Sequence, residues 1–134
     1  MESFDQLKND LKSDSQGRLW LDQVLVVIMP RWFFVDIMTE VEELAGAETA
    51  AKVYYQAGYK GAVKWCTLQM EAGLKGREVM AQYLNSATLR GWGRFEIVEF
   101  NEEVGRGLFR LFNSAVAEEK GAATEPVCIH LAGS

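Results

Sequence analysis

Phe4, Leu7 and Leu11 recur at helical spacing behind Ser3, which predicts a short amphipathic helix with Ser3 as its cap. "SDSQG" breaks it. "RLWLDQVLVVIM" follows, dense in β-branched and bulky residues, and predicts a strand with a break near Asp22. Pro30 marks the next boundary, because a residue without an N–H suits the first turn of a helix. In "RWFFVDIMTEVEELAG", Phe34, Ile37, Met38, Val41, Leu44 and Ala45 share one helical face, and Gly46 is placed to end the helix.

A longer helix is predicted from about Ala47 to Ala72. Its stripe is Ala50, Tyr54, Ala57, Gly61, Trp65, Leu68 and Ala72, and beside it run Ala51, Tyr55, Gly58, Ala62 and Cys66. Small residues therefore alternate with large rings over a broad arc. Gly58 and Gly61 each cost roughly 1 kcal/mol relative to Ala inside a helix, so close approach of another helix or of a ligand is the expected compensation. "GLKG" separates this helix from a third, from about Arg77 to Arg90, with Val79, Met80, Tyr83, Leu84 and Ala87 inward. "GWG" ends it. "RFEIVEF" and "GLFRLFNS" flank the polar "NEEVGR" and predict a β-hairpin. Both its faces are apolar in places, so cover on both is expected. "AEEKGAATEP" reads as a loop with a short helical turn, and "VCIHLA" starts another element. No internal repeat or low-complexity segment interrupts the chain.

The 134 residues suffice for one domain with a real core and are too few for two ordinary ones. The balance of 49% apolar and 25% charged residues is that of a globular protein. The longest apolar run, Val24 to Met29, is too short to span a bilayer. "MESFDQLKND" lacks the basic and apolar regions of a secretory signal, so a cytoplasmic location is expected. The net charge of −5, with Lys and Arg scattered, argues against nucleic acid, whose binding rests on phosphate neutralisation. Cys66 and Cys128 read as free thiols rather than a disulfide in that compartment.

Catalytic templates fit poorly. The single histidine, His130, lies near the end of the sequence, a poor place to hold a base against a nucleophile. Neither phosphate-loop fingerprint occurs; "GWG" and "GRG" lack the rest of those patterns. The adjacent pairs Glu42/Glu43, Glu102/Glu103 and Glu118/Glu119 read as solvated faces. Glu125, Cys128 and His130 sit close together at the end and could offer metal ligands, but a structural zinc site needs a full tetrahedral set. The reading preferred from spacing is a buried Cys128 with Glu125 and His130 exposed. The rings remain. Trp32, Phe33, Tyr54, Tyr55, Tyr59 and Trp65 lie on two neighbouring helical segments, with glycines beside them. They either fill core, as aromatics usually do, or line an apolar pocket in which phenols and indoles orient a guest.

The order of elements resembles the 4-vinyl reductase domain family, related to the ligand-sensing domains of aromatic-responsive transcriptional activators. The likeness is carried by "PRWFFVDIMTEVEELAGAETAAKVYYQAGYKGAVK" with its "AGY..G" element at Ala57, Gly58, Tyr59 and Gly61, by "GWGRFEIVEF", by "FNSAVAE" and by "EPVCIHLAG". It covers roughly residues 17–134, with 1–16 as an N-terminal helical extension of a single domain. It implies an α+β fold, a small antiparallel sheet packed against several helices, usually as a homodimer. It also implies binding of small hydrophobic or aromatic molecules. In the aromatic sensors a Glu and a Cys three apart help to hold zinc, and Glu125 and Cys128 match that pair. The two further cysteines have no counterparts here, so no zinc or other cofactor is expected. The family's last helix is also cut short after "LAGS": either the chain continues past Ser134 or this version has lost the helix and the metal.

These readings combine into a non-catalytic ligand-binding domain. The guest is expected between the Pro30–Ala45 and Ala47–Ala72 helices and the hairpin, against the six rings. The alternatives are a structural assembly module, or an accessory protein of a tetrapyrrole reductive pathway. The sequence names neither the ligand nor the pathway nor the protein partner.

Overall fold

Glycine and proline set most of the boundaries seen in the computed structural model, which describes residues 4–123. In chain order the elements are α1 (Phe4–Asp10), β1 (Leu11–Ser13), β2 (Leu19–Leu21), β3 (Val24–Val26), α2 (Arg31–Ala45), α3 (Ala47–Glu71), α4 (Arg77–Leu89), β4 (Arg94–Asn101), β5 (Arg106–Phe112) and α5 (Ala115–Lys120). The class is α+β, as the resemblance implies, with two small antiparallel sheets where it implies one. Among the described residues no helix is long and apolar enough to cross a membrane.

The first sheet is a meander of β1, β2 and β3, in which Leu11 faces Leu21, and Leu21 faces Val24. The helix expected through Leu11 stops at Asp10, because Leu11–Ser13 pairs with β2 instead. Asp14 fixes the β1–β2 turn: its carboxylate accepts the backbone N–H groups of Gln16 and Arg18 and pairs with the Arg18 side chain at 2.7 Å. The backbone hydrogen bond from Arg18 is the main reason its carboxyl lies below the usual carboxylate range. The break expected near Asp22 is the β2–β3 turn, where Asp22 adopts a positive φ of 54° that a short polar side chain tolerates.

The core lies where α2, α3 and α5 meet. Met38, Ala50, Val35, Tyr54 and Val116 are buried there, with Phe34, Val41 and Trp92 packed against them. The Tyr54 hydroxyl donates to the Met38 carbonyl, tying α3 to α2. Burial, followed by the nearby Glu42 charge, raises its phenol above the ordinary value. Two charged clamps hold α5 to α2: Arg31 pairs with Glu118 and Glu119, and Lys120 with Glu42 at 2.8 Å. The buried face of α2 is rotated from the expected stripe. Val35 and Met38 are inward, whereas Ile37 and Leu44 are exposed.

A single residue joins α2 to α3. Gly46 has φ 83° and ψ 155° and donates its N–H to the Glu42 carbonyl, a backbone region that is almost exclusively glycine's. A Cβ there would meet nothing within 4 Å, so its cost is purely conformational. Gly46→Ala is expected to destabilise the fold by about 1–3 kcal/mol, read as a lower urea midpoint with an unchanged m-value.

α4 packs between α3 and β4. Its N-terminus is capped from the hairpin: Glu102 accepts the backbone N–H of Arg77 at 2.7 Å. β4 and β5 pair from Arg94–Phe112 to Asn101–Arg106, with a bulge between Ile97 and Glu99. Among the described residues, cover on both faces of this hairpin is not seen. Among the described residues α4 lies against β4, and Val98, Leu108 and Phe109 stay exposed.

Candidate functional site

The strands of the first sheet are three residues each, so the apolar run that begins in β3 outlasts its strand. Val27, Ile28 and Met29 continue past Val26 as a link without regular secondary structure to Pro30. That link, with Leu7, Leu11 and Leu21 from α1, β1 and β2, faces the first turns of α2 and the junction of α4 with α5. The two surfaces do not close on each other. They leave a cavity of about 460 Å³, within the range of roughly 300–1,000 Å³ that suits drug-sized ligands.

The opposite wall is built from Phe34 and Val35 on α2, Leu89 at the end of α4, Trp92 in the following turn, and Ala115 and Val116 on α5. Local chemistry holds these pieces. Phe34 and Trp92 meet edge to face at 5.1 Å, an arrangement that fixes both rings. The Ala115 N–H donates to the Trp92 carbonyl, and the Ser114 hydroxyl accepts from Ala117 N–H to start α5. The end of α4 and the start of α5 are thus pinned together under the cavity.

Arg31 and Arg90 are the ionisable side chains in this wall among the described residues. Arg31 is neutralised by Glu118 at 2.8 Å and Glu119 at 3.2 Å, and the hydrogen bond it donates to Glu118 is the main cause of its raised pKa. Arg90 caps α4, donates from Nε to the Ser86 carbonyl, and lays its guanidinium 4.3 Å above the Trp65 ring. Crowding desolvates it enough to lower its pKa from the ordinary value, although much of the side chain still reaches solvent. It remains a cation at neutral pH, as arginines in proteins do.

A second depression of about 590 Å³, between α4 and β4, is more open, and Gln82, Asn85 and Arg94 contribute polar groups to it. The first cavity is the stronger candidate for an apolar guest, since enclosure and an apolar lining are what such a site requires.

None of the six rings singled out in the sequence lines this cavity. Tyr54 is core. Trp32, Phe33, Tyr55 and Tyr59 lie on the outer surfaces of α2 and α3, with Trp32 and Tyr59 more than half exposed. Trp65 is partly buried; its indole N–H has no acceptor among the described residues, and it reaches the cavity only through Arg90 stacked on it. The space expected between α2 and α3 is filled by Met38, Ala50 and Tyr54. Gly61 faces open space on the outside of α3 rather than a guest. The cavity residues carry no local motif. The one signal available was the apolar excess of "VVIM", too long for a three-residue strand.

Glu125, Cys128 and His130 fall outside the described residues. Within them no group of three or more His, Cys, Asp or Glu side chains could hold a metal ion. Cys66 sits on α3, with its thiol pKa raised by burial, the direction that disfavours a thiolate ligand. The described residues therefore supply no fit for zinc.

Residues 5–98 match the family described as "Domain of unknown function (DUF5943)". No curated protein matches the chain. Among solved structures, the chain is similar to the phenol-responsive sensory domain of the transcription activator PoxR, solved with phenol. The two are 20% identical, with a TM-score of 0.77 over 97% of this chain and 70% of that one. At that identity the likeness establishes a shared fold.

Proposed function

From the premise that the chain belongs to the DUF5943 family, whose description names no activity, we propose that it is a non-catalytic sensory domain of the 4-vinyl reductase type that binds a small hydrophobic or aromatic molecule. One observation carries the reading: the apolar cavity of about 460 Å³ between the N-terminal meander and the α2–α5 body. The structural likeness to a domain that responds to phenol supports it. A guest there would touch the N-terminal unit on one side and the helical core on the other. It would draw them together by its differential affinity for the closed arrangement.

The test is a fluorescence titration with neutral phenylnaphthylamine, a dye that brightens in apolar surroundings. Saturable binding near one dye per chain is the expected outcome. No saturable signal from a folded sample would remove the reading.

The homodimer belongs to the same proposal. Trp32, Phe33, Ile37, Tyr55, Tyr59 and Val63 are exposed on α2 and α3, and burying such side chains is the usual driving force for association. Those same rings favour the second reading, an assembly module, should the cavity take no guest. Light scattering coupled to size-exclusion chromatography distinguishes a dimer from a monomer in either case.

A further inference from the structure

We propose that the cavity selects an apolar or aromatic acid, with Arg90 pairing with its anionic group at the wall. The inference rests on the pocket reading above and adds the charge of the guest. The two arginines in the wall differ in one respect that decides their roles. Arg31 has its charge satisfied by two glutamates from α5. Arg90 has no carboxylate within 4 Å among the described residues. Among the described residues its contacts use one face of the guanidinium, against Trp65, and Nε, towards the Ser86 carbonyl, with the Tyr83 phenol near enough to act on its charge. The terminal N–H groups are left to present a planar fork, the geometry that matches a carboxylate or sulfonate.

Stacking on Trp65 and the bond to Ser86 hold that fork in place before a ligand arrives, so little ordering is needed on binding. No acidic side chain among the described residues shares the cavity wall to compete for it. Apart from Arg31, already neutralised by Glu118 and Glu119, the described side chains of the wall are hydrocarbon or aromatic, which suits the body of such an acid.

The overall charge makes the test sharp. With a net charge of −5, the long-range field of the protein disfavours anions. A preference for an acid over its neutral counterpart must then come from a local cation. Anilinonaphthalene sulfonate and phenylnaphthylamine share one ring framework and differ by the sulfonate, so they form the probe pair. The expected result is about tenfold tighter binding of the sulfonate at low salt, the scale of one hydrogen-bonded charge pair.

In Arg90→Gln the ratio of the two affinities should fall to about one, and in Arg90→Lys it should be partly retained. The ratio is the readout because any general weakening of the cavity cancels from it; the circular dichroism of each variant reports its fold. If the wild-type chain binds both dyes equally, or the ratio survives Arg90→Gln, the assignment of Arg90 is overturned while the pocket stands. If neither dye binds, both readings fall together.

Discussion

Met38→Ala should lower the unfolding free energy by about 2–5 kcal/mol, the cost of a large-to-small change in a closed core. Met38 is 1% exposed and packs where α2, α3 and α5 meet. Truncation removes its transfer free energy and leaves a void that the surrounding helices fill only in part. Collapse is hindered because Ala50, completely buried on α3, has no longer side chain to swing into the gap. Met38→Leu, nearly equal in volume, should cost less than about 1.5 kcal/mol. Whole domains are stable by only about 5–15 kcal/mol, so the alanine variant approaches the limit of folding. Equilibrium urea denaturation measures both. Equal, small losses in the two variants would show that Met38 is not enclosed as described.

Ala115→Phe should weaken phenylnaphthylamine binding about 50- to 100-fold. Ala115 is buried, lines the cavity from the first residue of α5, and is held there by its N–H bond to the Trp92 carbonyl. The space available to a larger side chain is the cavity itself, so the ring takes volume that the ligand needs. Displacing on the order of 100 Å² of ligand contact removes about 2.5 kcal/mol at about 25 cal/mol per Å², which is that factor in affinity. The ring also gains apolar burial, so stability should change by less than about 1–3 kcal/mol, the range for overpacking. Unchanged dye affinity in a folded Ala115→Phe variant would place the dye elsewhere.

The helix boundaries were legible because backbone chemistry dictates them locally. Pro30 stands at the start of α2, Gly46 at its junction with α3, and "GLKG" and "GWG" bracket α4. The hairpin and the break at Asp22 were legible for the same reason. Burial was not. Ile37 and Leu44 fit the apolar stripe of α2 yet face outward, since α3 and α5 cover an arc centred on Val35 and Met38. Leu11 continued the helical spacing of α1 but joined a strand, because pairing with Leu21 is a contact that no local pattern contains.

The site illustrates the same limit. The six rings were conspicuous in sequence as a cluster on neighbouring helices. Four of them lie on outer surfaces, and the fifth, Tyr54, closes the core. Trp65 supports Arg90 from below rather than lining the cavity. The cavity itself is assembled from Leu7, Val27, Trp92 and Ala115, residues distant along the chain that only the tertiary fold brings together. Composition offered a weak hint in the long apolar run ahead of Pro30. The fold class followed from the order of elements, while the position of the void depended on how two surfaces fail to meet.

The most direct measurement is a methyl chemical-shift titration of the chain with phenylnaphthylamine. Shifts concentrated on Leu7, Leu21, Val26, Val35 and Val116, on both walls of the cavity, are the predicted result. Shifts confined to Val53 and Val63 on the outer face of α3, or none at saturating dye, would contradict the account.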